Sequence, residues 1–252
     1  GLLEERKDSI RRHLEEHRLT ISNVNAFMMN AVADPRQPYW HPGWTDPDPH
    51  YRAIRREHTK RALKLAAEIG APTVTTEPGG WLTPDQSWER AADIFYDEIM
   101  PCIEVAEQEQ VRLLIEPEPE LMIERFDQYL EFADRLDSTW IGLNFDIGHA
   151  FCVGEDPQDW VERMAEHTVH YHFEDIAPSR VHQHLPAIFH NLIDVLLPCV
   201  SIPDFQVVVH TQEHHLGPQI RPFHQIFGQP KPPGRIDLDP PCQAEPESLE
   251  SQ

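Results

Sequence analysis

Apolar positions cluster in three short runs between Val111 and Asp175, and each run ends in carboxylates or histidines. They are Val111 to Glu118, Ile141 to His149, and Val169 to Asp175. Runs of this length, rich in Val, Ile, Leu, Tyr and Phe, predict strands. Between them, helical patterns cover Arg125 to Leu136 and Pro157 to His167. Upstream, Leu3, Ile10 and Leu14 share one face of a charged helix over Leu2 to His17. A strand is expected within Leu19 to Met29 and a helix over Tyr51 to Ile69, with Gly70 as its C-cap. A strand is expected at Thr73 to Thr76. A long helix follows over Ser87 to Gln110, which Pro101 should kink or divide. Further on, Leu185 to Leu197 reads as a helix and Phe205 to His210 as a strand.

Strand and helix in alternation imply parallel strands joined by crossover helices. The fold class is therefore α/β, a (β/α)8 TIM-barrel-like arrangement. About six strands are legible, whereas a full barrel has eight. The expectation is an incomplete barrel, its first strand missing and its C-terminal end truncated or altered. The barrel domain is assigned to residues 1–227. Residues 228–252 hold six prolines among acidic and polar residues, a composition that predicts a disordered tail.

Composition narrows the function classes. No apolar run reaches the roughly 20 residues of a membrane helix. The N-terminus carries no apolar leader core, so a cytoplasmic location is expected. The four cysteines form no C-x-x-C pair and read as reduced thiols, mostly buried. A net charge of -22 opposes a broad grip on nucleic acid. It suits a small neutral or metal-chelating substrate. An incomplete barrel would expose strand edges that a second copy of the chain could cover.

In parallel α/β units functional groups gather at the carboxyl ends of the strands. Glu116, Asp146 and His172 each occupy such an end, and His210 ends the next usable strand. Carboxylates and imidazoles placed this way suit one divalent ion with open positions for substrate. Mn²⁺, Mg²⁺, Co²⁺ and Zn²⁺ all accept such ligands. Glu77 and Glu118 follow strand ends, and His182 and His184 occupy a later loop. All four are expected to contact substrate. Tyr39, Trp40, His41 and Trp44 lie in a loop that forms either an aromatic wall over a pocket or an apolar plug at the barrel mouth.

The segments Leu-Leu-Ile-Glu116, Gly-Leu-Asn-Phe-Asp146-Ile-Gly-His149 and His170-Tyr-His172-Phe-Glu-Asp175 resemble the xylose isomerase-like TIM barrel superfamily. The similar branch is that of the sugar phosphate isomerases and epimerases, over roughly residues 1–215. The resemblance implies a divalent metal held by Glu116, Asp146, His172 and a final glutamate. His149 matches a histidine near substrate or a second metal. Asp175 matches an acidic residue that orients the ligand histidine. The final glutamate is replaced by His210, with Glu213 beyond it. A glycine-rich loop after His184 and the N-terminal strand are both missing, as in a fragment or a degenerate copy.

On this reading Glu116 and His149 are the catalytic candidates. Glu116 would remove a proton beside a substrate carbonyl and an enediolate would form, giving isomerisation or epimerisation of a small sugar or sugar phosphate. Two alternatives stand beside it. One is a non-catalytic metal- or metabolite-binding relative, suggested by His210. The other is an apurinic endonuclease-like zinc hydrolase, favoured by His149, His172, His182 and His184 and opposed by the acidic charge.

Overall fold

The computed structural model of the chain describes residues 2–27, 40–174, 176 and 180, all within one compact unit. Helices α1 (Leu2–His17), α2 (Pro49–Ile69), α3 (Trp88–Glu109), α4 (Phe126–Ala133), α5 (Ile147–Cys152) and α6 (Pro157–Val161) are interleaved with strands. The strands are β1 (Val24–Asn25), β2 (Thr73–Thr76), β3 (Arg112–Ile115), β4 (Ile141–Asp146) and β5 (Thr168–His172). All five pair in parallel in the order β1-β2-β3-β4-β5.

The sheet curls. Strands lie about 4.8 Å apart, so the outer two of five flat strands would be separated by about 19 Å. Yet His170 Nε2 on β5 lies 3.3 Å from the hydroxyl of Ser22, two residues ahead of β1. The inner faces of the first and last strands therefore meet through their side chains, as in the wall of a half-closed barrel.

The register of the last pair is shifted. Leu143 faces Thr168, but Asn144 faces His170 and Asp146 faces His172. Val169 is the extra residue of a β-bulge. In an unshifted register Asn144 would face Val169 and Asp146 would face Tyr171.

Local chemistry explains the helices. Asp48 caps α2 by accepting from the His50 amide at 2.8 Å, Pro49 starts it, and Gly70 ends it in the left-handed region at φ 80°. Ser87 caps α3, and Gln110 ends it at φ 57°. Pro101 does not divide α3, which runs unbroken for 22 residues. Asp97, whose carbonyl loses its partner to the proline, is exposed, so water can replace the missing amide. Three other expectations are corrected. The helix predicted over residues 157–167 stops at Val161, the described part of the first strand is only Val24–Asn25, and α5 was not anticipated. The predicted elements at 185–197 and 205–210 and the tail at 228–252 lie outside the described residues. Among the described residues no helix is long and apolar enough to cross a membrane.

The core lies between helices and sheet. Leu63, Val74, Ile99, Leu113 and Leu143 are fully buried, and the Phe95 ring stacks on Phe132 at 4.5 Å. Trp44 joins this core, 5.6 Å from Phe95, with its indole N–H donated to Thr76 Oγ1 at 3.1 Å. It is thus packed inside and forms no pocket wall. Tyr39 lies outside the described residues.

The loops at the carboxyl ends of the strands are stitched in sequence. Thr45 N–H binds the Gly79 carbonyl at 3.0 Å, and Met122 N–H binds the Gly80 carbonyl at 2.9 Å. Gly43 abuts Gly80 so closely that a Cβ would lie 3.2 Å from the facing Cα. Arg55 of α2 clamps this rim from below. It donates to the carbonyls of Pro42 at 3.0 Å and Ala26 at 3.4 Å and pairs with Glu77. Both charges are fully buried.

Burial leaves neither partner of that pair replaceable alone. Glu77→Leu should cost about 3–5 kcal/mol of unfolding free energy, because it strands a buried guanidinium. Urea denaturation monitored by circular dichroism measures this.

Candidate metal centre

Three strand ends and one short helix build the centre. Glu116 follows β3 and is fixed by its amide, which donates to the Thr76 carbonyl at 3.3 Å. Asp146 closes β4, and the bulge sets it opposite His172 at the end of β5. His172 Nδ1 donates to Glu116 Oε1 at 2.7 Å and lies 3.6 Å from Asp146 Oδ2.

Asp146 has a second task. Its Oδ1 accepts from the His149 amide at 3.0 Å and so caps α5 as the strand ends. That turn brings the His149 ring back over the strand ends. His149 Nδ1 donates to the Pro117 carbonyl at 2.8 Å, which directs Nε2 at carboxylates. Nε2 lies 3.4 Å from Glu118 Oε2, 3.9 Å from Asp146 Oδ2 and 3.9 Å from Glu174 Oε1. Glu174 lies directly over Gly148, where a Cβ would come within 2.1 Å of its Oε1, so only glycine leaves room for it.

Donor atoms of Glu116, Asp146 and His149 all lie within 4.8 Å of one another, and all three residues are buried. His172 borders the same group through its contacts with Glu116 and Asp146. Two carboxylates and two imidazoles form a mixed oxygen and nitrogen donor set that fits a divalent ion.

Electrostatics reflect the crowding. Burial raises the Glu116 pKa above the usual carboxylate range, although His172 and His149 pull it down. Burial alone would also raise Asp146, but His149 and His172 outweigh it and hold that carboxyl below its usual range. Burial would lower both histidines, yet the surrounding carboxylates win. They lift His149 to about 10, through Asp146, Glu118, Glu116 and Glu174, and His172 to about 11, mainly through Glu116 and Asp146.

The sequence-predicted residues divide accordingly. Glu116, Asp146, His149 and His172 come together, and Glu118 joins them through His149. Glu77 is engaged by Arg55 and is lifted to about 7 by burial. His210, His182, His184 and Asp175 lie outside the described residues. The sequence did not single out Glu174, Asn144 or His170. Alternation on a strand offered the signal, because Asn144 and His170 sit two residues before Asp146 and His172 and share their faces.

Comparison with known proteins gives this arrangement a family. A model described as the xylose isomerase-like TIM barrel matches residues 1–195. The chain belongs to that family. No curated protein matches its sequence.

Among solved structures, a D-tagatose 3-epimerase-like protein is 21% identical, with a TM-score of 0.64 over 76% of this chain and 70% of its own. The 3-keto-D-glucoside 4-epimerase of E. coli is 14% identical, with a TM-score of 0.59 over 69% of this chain and 66% of its own. An IOLI protein with a bound zinc atom is 16% identical, with a TM-score of 0.55 over 67% of this chain and 56% of its own. The chain thus spans about two thirds or less of the length of the last two. At these identities the shared property is the xylose isomerase-like fold.

The histidine pKa values predict how this centre responds to pH. Both histidines hold protons more tightly when folded than in the unfolded chain. The stability they add is complete below about pH 6.5 and is lost as the pH rises through about 10 and 11. The melting temperature of the metal-free protein should therefore fall between pH 7 and 10. Metal ligation needs neutral imidazoles, so Mn²⁺ binding should release protons and tighten by up to about tenfold per pH unit per proton released. Calorimetric titration in buffers of different ionisation enthalpy reads both effects.

Proposed function

We propose that this chain is a divalent-metal-dependent isomerase or epimerase acting on a small sugar or sugar phosphate through an enediolate. The observation that carries the reading is the convergence of Glu116, Asp146 and His149 donor atoms, with His172 beside them, at the carboxyl ends of parallel strands. Epimerases among the structures of like fold support the substrate class.

Mn²⁺, Mg²⁺, Co²⁺ or Zn²⁺ held by Glu116, Asp146 and the histidines would supply Lewis acidity towards a substrate carbonyl and its neighbouring hydroxyl. The protein supplies the proton transfer. Glu116, buried within the donor cluster at the end of β3, is the base. It takes the proton from the carbon beside the carbonyl. His149, oriented by the Pro117 carbonyl, exchanges a proton with a substrate oxygen. Glu118, 3.4 Å from His149 Nε2, accepts from a substrate hydroxyl. Returning the proton to the adjacent carbon isomerises the sugar, and returning it to the opposite face epimerises it. His210 as a further ligand, Asp175 as the orienting acid, and His182 and His184 as substrate contacts belong to the same proposal.

The test is hydrogen exchange in deuterated water with Mn²⁺, using ketohexoses, ketopentoses and their phosphates. A substrate should acquire solvent deuterium beside its carbonyl. Glu116→Gln should slow that exchange by about 10²–10⁴-fold. Failure of every sugar to exchange, with Mn²⁺ bound, would count against the proton-transfer mechanism.

A further inference from the structure

Behind the donor cluster a polar chain crosses the barrel interior. Asn144 is fully buried on β4, facing His170 across the bulged pairing. Its amide nitrogen donates to Glu116 Oε2 at 2.9 Å. Its amide oxygen lies 3.0 Å from His170 Nδ1. An amide oxygen only accepts, so Nδ1 carries the proton and donates. His170 Nε2 in turn lies 3.3 Å from the Ser22 hydroxyl. The Ser22 segment is anchored to β2, since Thr73 Oγ1 donates to the Ser22 carbonyl at 2.8 Å and Thr75 Oγ1 donates to Asn23 Oδ1 at 3.0 Å.

This chain has one polarity. Glu116 only accepts when ionised, so every donor points towards it. The amide occupies Oε2, while His172 Nδ1, on the cation side, approaches Oε1 at 2.7 Å. One oxygen is held back and the other is presented. His170 matters because an unrestrained asparagine amide can turn over and offer its oxygen, which would repel the carboxylate. By fixing the amide oxygen, His170 fixes the donor end on Glu116.

We propose that Asn144, locked by His170, is the positioning residue that presents a single Glu116 oxygen to the cation. The proposal rests on Glu116 being a cation ligand. Hydrogen-bond partners that orient a ligand are commonly worth about 10–100-fold in metal affinity.

The test titrates Mn²⁺ calorimetrically into the wild-type protein and into Asn144→Leu, His170→Leu and His170→Gln, with thermal unfolding of each metal-free form. Asn144→Leu and His170→Leu should bind Mn²⁺ about 10–100-fold more weakly. His170→Gln retains a donor for the Asn144 oxygen and should stay near wild type. If Asn144→Leu fails to fold, the two His170 variants decide. Wild-type affinity in the leucine variants overturns the proposal while leaving the metal site intact. So does equal weakening in His170→Leu and His170→Gln, which would mean that bulk matters and the donor does not. A wild-type protein that takes up no Mn²⁺ overturns both this assignment and the functional reading beneath it.

Discussion

Crowded negative charge in a place water scarcely reaches is the constraint on which this structure turns. Glu116, Glu118 and Asp146 are buried, and Glu174 is nearly so, all grouped around His149 and His172. Unpaired carboxylates cannot persist there. Positive charge must be present in some form, and the two imidazoles provide it by retaining protons that solvent histidines would release. A divalent ion meets the same requirement. Proton and metal therefore compete for one set of atoms, and the fold is made to hold either.

The scaffold meets this demand by assigning each polar atom a fixed partner. Asp146 uses one oxygen to start α5 and turns the other to the histidines. The Pro117 carbonyl holds one nitrogen of His149, so the other faces the acids. Around the rim, backbone bonds from Thr45 to Gly79 and from Met122 to Gly80 tie the loops following successive strands together. Arg55 anchors that rim to α2 through two carbonyls and Glu77. Positions set on strands and tied loops are more rigid than positions on free loops, which is what a donor cluster needs.

Much of this was legible in the sequence. Beyond their first residues, strands β3 and β4 are buried on both faces, so their apolar runs announce them. Glu116, Asp146 and His172 were legible because each ends such a run. Other features were not. Helix α5 is set by the Asp146 side chain and is too short to show a periodic pattern. The end of α6 at Val161 is likewise local. The place of His149 beside the acids was legible only through the family resemblance, because it depends on the Pro117 carbonyl, a backbone atom that no residue type encodes. The loop after β2 drew attention to Glu77 because glycines follow it. Its partner Arg55 lies 22 positions earlier on a helix, and nothing in the pattern joins the two.

The bulge at Val169 has a consequence for how this chain is compared with others. Its extra residue shifts the pairing of β5 against β4, and everything beyond it inherits the offset. A relative lacking that insertion would align without a gap only by exchanging its interior residues for its exterior ones. In such an alignment Tyr171 would stand where His172 belongs, and the chain would look as though it had lost a ligand that it still carries.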